Sequence, residues 1–165
     1  MSADDVDRVA AWAALLRVHA AVVPKLEREL AARQMPLAWY DVLLVLNAAP
    51  GRRLRMTEVG ARAVLSRERV SRVVDELERA GLVRRERNPD DKRSFFATIT
   101  PEGRSRLRAA APTYLAGIER HYTRHLSDEE VRVVTTALGR VLAAEEGGPA
   151  TSAGSGGDGT PGSRA

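Results

Sequence analysis

The stretch Arg87 to Thr100, RNPDDKRSFFATIT, sets Asp90, Asp91, Lys92 and Arg93 in a turn between two strand-like runs, LVRRER before it and FFATIT after it. Asn88, Pro89 and Asp90 supply hairpin turn chemistry, which needs only a few polar residues. This turn carries more charge than solubility demands. A second basic set precedes it. In RERVSRVVDELERA, after Ser66, one face and the first turns carry Arg67, Glu68, Arg69, Ser71, Arg72 and Arg79. Arginine offers guanine a bidentate fork, and a helix of ordinary diameter fits the DNA major groove with its N-terminal side chains at base edges.

Charge is divided by position. Residues 51–110 hold 16 Lys and Arg against 9 Asp and Glu, so the middle is +7, whereas the rest holds 10 against 13 and sums to −3. A basic middle between acidic-to-neutral ends points to a polyanion held by one part of the molecule. The other reading is a solvated, arginine-rich surface. His121 and His125 stand at i and i+4, a spacing that can set two imidazoles on one metal; histidines near a helix C-terminus also simply favour its dipole. No third ligand is evident, and no resident metal or cofactor is expected. Cysteine is absent, which removes disulfides and thiolate ligands. There is no Gly-rich phosphate loop, GxSxG or HExxH, so an enzyme is not expected.

These residues need elements to position them. Val70, Val73, Val74 and Leu77 fall at i, i+3, i+4 and i+7, one buried face of a helix capped by Ser66 and stopped by Gly81. A shorter helix precedes it, EVGARAV, with Thr57 as its expected cap. PLAWYDVLLVLNAAPG reads as a helix starting near Pro36, followed by an extended piece, RLRM. Helix, helix, glycine, strand, charged turn and strand in that order make a winged helix-turn-helix over 33–100. Residues 4–32 carry an apolar stripe, Val6, Val9, Ala13, Leu16, Ala20, Val23, Leu26 and Leu30, with a kink or break expected at Pro24. Thr100 and Pro101 open a helix with Leu107, Ala111, Tyr114, Leu115, Ile118 and Tyr122 on one side. Ser127 and Glu130 form a capping box for a last helix with Val131, Val134, Leu138 and Val141.

The fold class is therefore mainly α with a small β-wing: a winged helix-turn-helix plus N- and C-terminal dimerisation helices at 5–32 and 101–145. Those helices would leave apolar stripes exposed in a monomer, and pairing across a two-fold axis is the economical solution. The segment 146–165 is rich in Gly, Ser, Thr and Pro and reads as a disordered tail. The longest apolar runs fall short of the roughly 20 residues of a membrane span, and the acidic start is no secretory signal; a cytoplasmic location without membrane contact is expected.

Three pieces together resemble the MarR family of transcription regulators over about residues 5–145: WYDVLLVL, MTEVGARAVLSRERVSRVVDELERAGLVRR, and NPDDKRSFFATITPEGRSRL. The most specific is Asp91-Lys92-Arg93 followed by Ile99-Thr100-Pro101-Glu102-Gly103. The resemblance implies a homodimer on a pseudo-palindromic double-stranded DNA operator, usually a repressor, often released by a small phenolic or anionic effector. It implies DNA contacts from Ser66, Arg67, Arg69, Ser71, Arg72, Asp91, Lys92 and Arg93, with Arg93 in the minor groove and Asp91 holding the loop and orienting that arginine. A narrow minor groove concentrates negative potential and favours a guanidinium. For effector binding, Trp12, His19, Trp39 and Asp41 are placed near the crevice between the first two helices. The urate-responsive branch suggests a switch pairing Asp41 with Arg72. The chain departs from the family in the turn Ala63-Val64-Leu65-Ser66, where a glycine is common, and in Pro36, where Ser or Thr is common. The alternatives are a winged-helix protein-interaction module and a metal-responsive regulator using His121 and His125.

Overall fold

The computed structural model describes residues 2–63, 65–89, 91 and 93–147. They run α1 (Ala3–Ala31), α2 (Leu37–Ala48), a 3-10 turn (Pro50–Arg52), β1 (Arg53–Arg55), α3 (Met56–Arg62), α4 (Arg67–Arg79), β2 (Val83–Arg87), β3 (Phe95–Ile99), α5 (Pro101–His121), a second 3-10 turn (Thr123–His125) and α6 (Asp128–Gly147). The chain divides into two compact units between His125 and Leu126.

In the first unit the three strands form an antiparallel sheet in the order β1-β3-β2. Leu54 pairs with Ala97, and Val83 with Ile99. All four are buried, so one sheet face closes the core. On α4 the expected Val70, Val73, Val74 and Leu77 are all buried beside Val42, Leu43 and Leu46 of α2, each worth about 1.5–3 kcal/mol relative to exposure. Leu30 near the end of α1, Met35 in the connection to α2, and Leu107 and Ala110 of α5 complete this core.

The junctions explain the order. Gly81, at φ +72°, ends α4 in a Schellman motif: the Leu82 amide donates to the Leu77 carbonyl and the Gly81 amide to the Glu78 carbonyl, both at 2.9 Å. The Thr100 hydroxyl accepts from the Gly103 amide at 3.0 Å and donates to the Gly81 carbonyl at 2.8 Å, tying the start of α5 to the end of α4. Gly103 is buried against the Leu82 carbonyl, where a Cβ would collide with backbone.

Several expectations need correction. Pro24 does not break α1, which continues to Ala31; Pro24 and Ala20 are both exposed, so water can take the carbonyl that the proline leaves without its helical donor. Thr57 is not the cap of α3. The helix starts at Met56, and the Arg55 amide donates to the Glu58 carboxylate at 2.7 Å. In addition, α6 extends through Glu146 to Gly147, so a tail starting at 146 begins too early; residues 148–165, like Val64 in the departing turn, lie outside the described residues.

Of the α1 stripe, Val6, Val9, Leu16 and Ala20 are exposed, Ala13 and Val23 are half-buried, and only Leu26 and Leu30 are buried; Trp12, Leu15 and Val18 beside it are exposed as well. By length and composition, Asp5–Ala31 is apolar enough to cross a membrane. Counting uninterrupted apolar runs missed this, because Arg17 and His19 divide an otherwise alanine- and valine-rich helix. The second unit is α6, with Ser127 and Glu130 forming the expected capping box. Val133, Leu138, Val141 and Leu142 on it are exposed.

Candidate nucleic-acid interface

The N-terminus of α4 is fixed by Ser66, whose hydroxyl accepts the Arg69 amide at 3.4 Å. The buried valines turn Arg69, Ser71 and Arg72 to solvent. Arg67 opens the helix; its side chain lies outside the described residues. Among those residues neither the Arg69 nor the Arg72 guanidinium has a hydrogen-bond or ion-pair partner, so both are available to an outside anion.

The acids of the same helix do structural work. Arg85, on β2, pairs through its guanidinium with Asp75 and, at 2.9 Å, with Glu78, while its amide donates to Glu78 at 3.1 Å. One arginine thus fastens the wing to α4. Glu76 accepts the indole N–H of Trp39 at 2.9 Å, fastening α2 to α4. A groove of about 730 Å³ runs between α3, α4 and the wing strands, lined by Thr57, Gly60, Val70, Ser71, Arg85 and Phe95.

At the wing tip the Asp91 carboxylate accepts the Arg93 amide at 3.0 Å, and the Asp91 carbonyl accepts the Ser94 amide at 3.0 Å. Asn88 is fully buried. Its amide donates to the Ser94 carbonyl at 3.1 Å and its side-chain nitrogen to the Ser94 hydroxyl at 2.9 Å. Asp91 therefore shapes the backbone that carries Arg93, and no ion pair joins the two side chains among the described residues. The Arg93 side chain is exposed. Lys92 lies outside the described residues.

The four effector candidates are not gathered into one pocket. Trp12 and His19 are exposed on α1, and Trp39 is engaged by Glu76. Asp41 is half-buried without a hydrogen-bond or ion-pair partner among the described residues, and forms no pair with Arg72. Desolvation by burial raises its pKa to about 6. The rings of Tyr40 and Tyr114 lie 4.5 Å apart, and both phenols are pushed up, by burial first and by Asp41 second.

The histidine pair is also corrected. α5 ends at His121, and His125 lies in the following 3-10 turn, so the two do not share a helical face. His121 Nε2 is 2.8 Å from Glu29 of α1, whose same oxygen accepts Arg120 at 2.8 Å. The hydrogen bond with His121, helped by Arg120, holds the Glu29 carboxyl below its ordinary range. No group of three potential metal ligands occurs among the described residues.

Comparison with known proteins follows the same lines. The MarR family model matches residues 33–94, the winged helix-turn-helix as far as the wing turn before β3. The crystal structure of Sco3205 from Streptomyces coelicolor, a MarR family transcriptional regulator in complex with DNA, is 32% identical, with 87% of this chain and 90% of that chain covered and a TM-score of 0.77. The chain belongs to the MarR family. It is a winged-helix DNA-binding transcriptional regulator and not an enzyme. Among curated relatives, the HTH-type transcriptional repressor YetL of Bacillus subtilis (strain 168) is 29% identical over 114 residues, 69% of this chain and 68% of YetL. The HTH-type transcriptional regulator YkoM of the same organism is 32% identical over 80 residues, 48% of this chain. This MarR-family chain spans about half the length of YkoM, 52%.

Sequence reading missed Asn88, Ser94, Glu29 and the Arg85 clamp. The first looked like an ordinary turn residue. The clamp left only one signal, a carboxylate pair at Asp75 and Glu78 on the side of α4 away from its valines.

Proposed function

We propose that this MarR-family regulator is a cytoplasmic homodimeric repressor that binds a pseudo-palindromic operator and is released by a small aromatic or anionic effector. The observation that carries the reading is the pairing of two exposed surfaces of opposite character. One is basic: Arg69, Ser71 and Arg72 stand on a capped helix, and Arg93 on a wing tip whose backbone Asp91 holds. The other is apolar, along α1 and, separately, along α6. A contiguous apolar stripe of this kind requires cover, and a second copy supplies it with two-fold symmetry. In that dimer each α4 enters a major groove, and half-site centres lie about 10 bp apart.

Arg93 of each wing enters the flanking minor groove, with Ser66, Arg67 and Lys92 as phosphate contacts. The effector sits near Asp41, Tyr40 and Tyr114. Asp41, ionised above about pH 6, accepts a hydrogen bond from a phenol, and when protonated below that pH it donates one to an anionic group. Footprinting on the promoter beside its own gene, repeated with a panel of aromatic acids and phenols, tests the reading. Two protected half-sites that one compound abolishes are expected. Protection without two-fold symmetry would contradict the dimer, and indifference to the whole panel would remove the effector.

A further inference from the structure

The wing sheet has a second face, and none of the proposed operator contacts uses it. Residues directly opposite in antiparallel strands project to the same side, so the register sets Arg53, Thr98 and Arg84 in one row and Arg55, Phe96 and Glu86 in the next. The opposite face, with Leu54, Ala97, Val83 and Ile99, closes the core. The outer face is therefore an arginine-rich surface.

Three observations make it more than a solvated face. The Thr98 hydroxyl is buried and has no hydrogen-bond partner among the described residues, an unusual condition, since a buried hydroxyl without a partner loses its hydration uncompensated. Arg53 and Arg84 flank it in the row. Between these arginines lies the Glu86 carboxylate, one oxygen 2.6 Å from Arg84 Nε and the other 3.8 Å from Arg53. Glu86 thus occupies the place of an oxyanion shared by two guanidiniums. The Arg53 guanidinium is also held over the Phe96 ring, 4.7 Å from its centroid, which keeps it near the row. Two guanidiniums against one carboxylate leave a net positive site, and both arginine side chains are about half exposed or more, so they are free to close on a ligand.

We propose that the outer face of the wing sheet is an oxyanion site, in which Arg53 and Arg84 hold a phosphate-class group that displaces Glu86 and gives the Thr98 hydroxyl its acceptor. The group is a phosphate of DNA flanking the half-site or of a free phosphorylated small molecule; the chemistry is the same. Guanidinium pairs bind phosphate through charge-assisted, often bidentate hydrogen bonds, and threonine adds a donor at the base of the site.

The test uses the full chain without DNA, so it is independent of the operator reading. Inorganic phosphate is titrated against chloride at matched ionic strength while the Thr98 amide and methyl resonances are followed. A saturable shift is expected. Arg53→Gln and Arg84→Gln should each weaken binding about tenfold, and Glu86→Gln should tighten it several-fold because the internal competitor is lost. Thr98→Val separates the site from a bare packing defect: it should weaken phosphate binding while raising the melting temperature of the ligand-free protein. To assign the source, Arg84→Gln is compared on a minimal operator and on one with long flanks. A loss confined to the long duplex assigns the site to flanking DNA, and equal affinity on both assigns it to a small phosphorylated ligand. No saturable shift with phosphate, or phosphate affinity unchanged in both arginine variants, overturns the proposal.

Discussion

Replacing Asp41 by Asn should stabilise the protein above pH 7 and leave it nearly unchanged below about pH 4. The folded pKa of about 6 lies above the ordinary 3.8, so the folded chain keeps a proton that the unfolded chain has released. The associated stability is fully present below about pH 4 and is lost as pH rises through about 6. A rise of this size corresponds to about 3 kcal/mol in a dry site. Asp41 is only half-buried, and water reaching the carboxylate reduces the figure to about 1–2 kcal/mol. Asn keeps the shape and removes the titration, so at pH 8 Asp41→Asn should melt about 3–6 °C above the parent. Thermal unfolding of both proteins at fixed protein concentration, from about pH 4 to 8, reads the difference directly. A gap that stays constant over that range, or an Asn variant less stable at pH 8, would refute the reasoning and show that Asp41 has a cationic or hydrogen-bonding partner.

Other outcomes follow from particular contacts. Gly103→Ala forces a Cβ onto the Leu82 carbonyl and should destabilise the fold by about 2 kcal/mol or more, measured by urea unfolding; a neutral change would mean that α5 can shift. Arg85→Ala, which frees Asp75 and Glu78, should lower DNA affinity with a smaller loss of stability, since the wing is no longer fastened to α4; calorimetry and binding on one sample separate the two effects. Arg93→Ala should flatten the log–log salt dependence of binding by about 2 for a dimer. Asp91→Ala should weaken binding even though it removes an anion near DNA, because the Arg93 amide loses its acceptor; tighter binding would show that the turn is only solvated.

How much of this was legible depends on how far apart the partners stand. Val70, Val73, Val74 and Leu77, the Ser66 and Thr100 caps and the Ser127 box are local patterns, each set by residues within two helical turns, and the structure has each of them. Trp39 and Glu76 are 37 residues apart, and nothing in their neighbourhoods marks the pair, so Trp39 read as an effector residue and is instead a tether. His121 and His125 have metal spacing only while the helix lasts, and it ends between them. Asn88 has turn composition and a buried role, because the hairpin folds Ser94 back over it. The row Arg53–Thr98–Arg84 depends on strand register, which no single segment encodes.

In the proposed operator complex, the exposed arginines of α4 read base sequence in DNA. The most direct measurement is the affinity of Arg69→Ala and Arg72→Ala for operator and for random duplex at one salt concentration. Each variant should lose discrimination of about 1–3 kcal/mol at a defined position in each half-site, with a much smaller loss on random DNA. Equal weakening on both duplexes for both variants would contradict that role, making α4 a phosphate-binding helix that carries no sequence information.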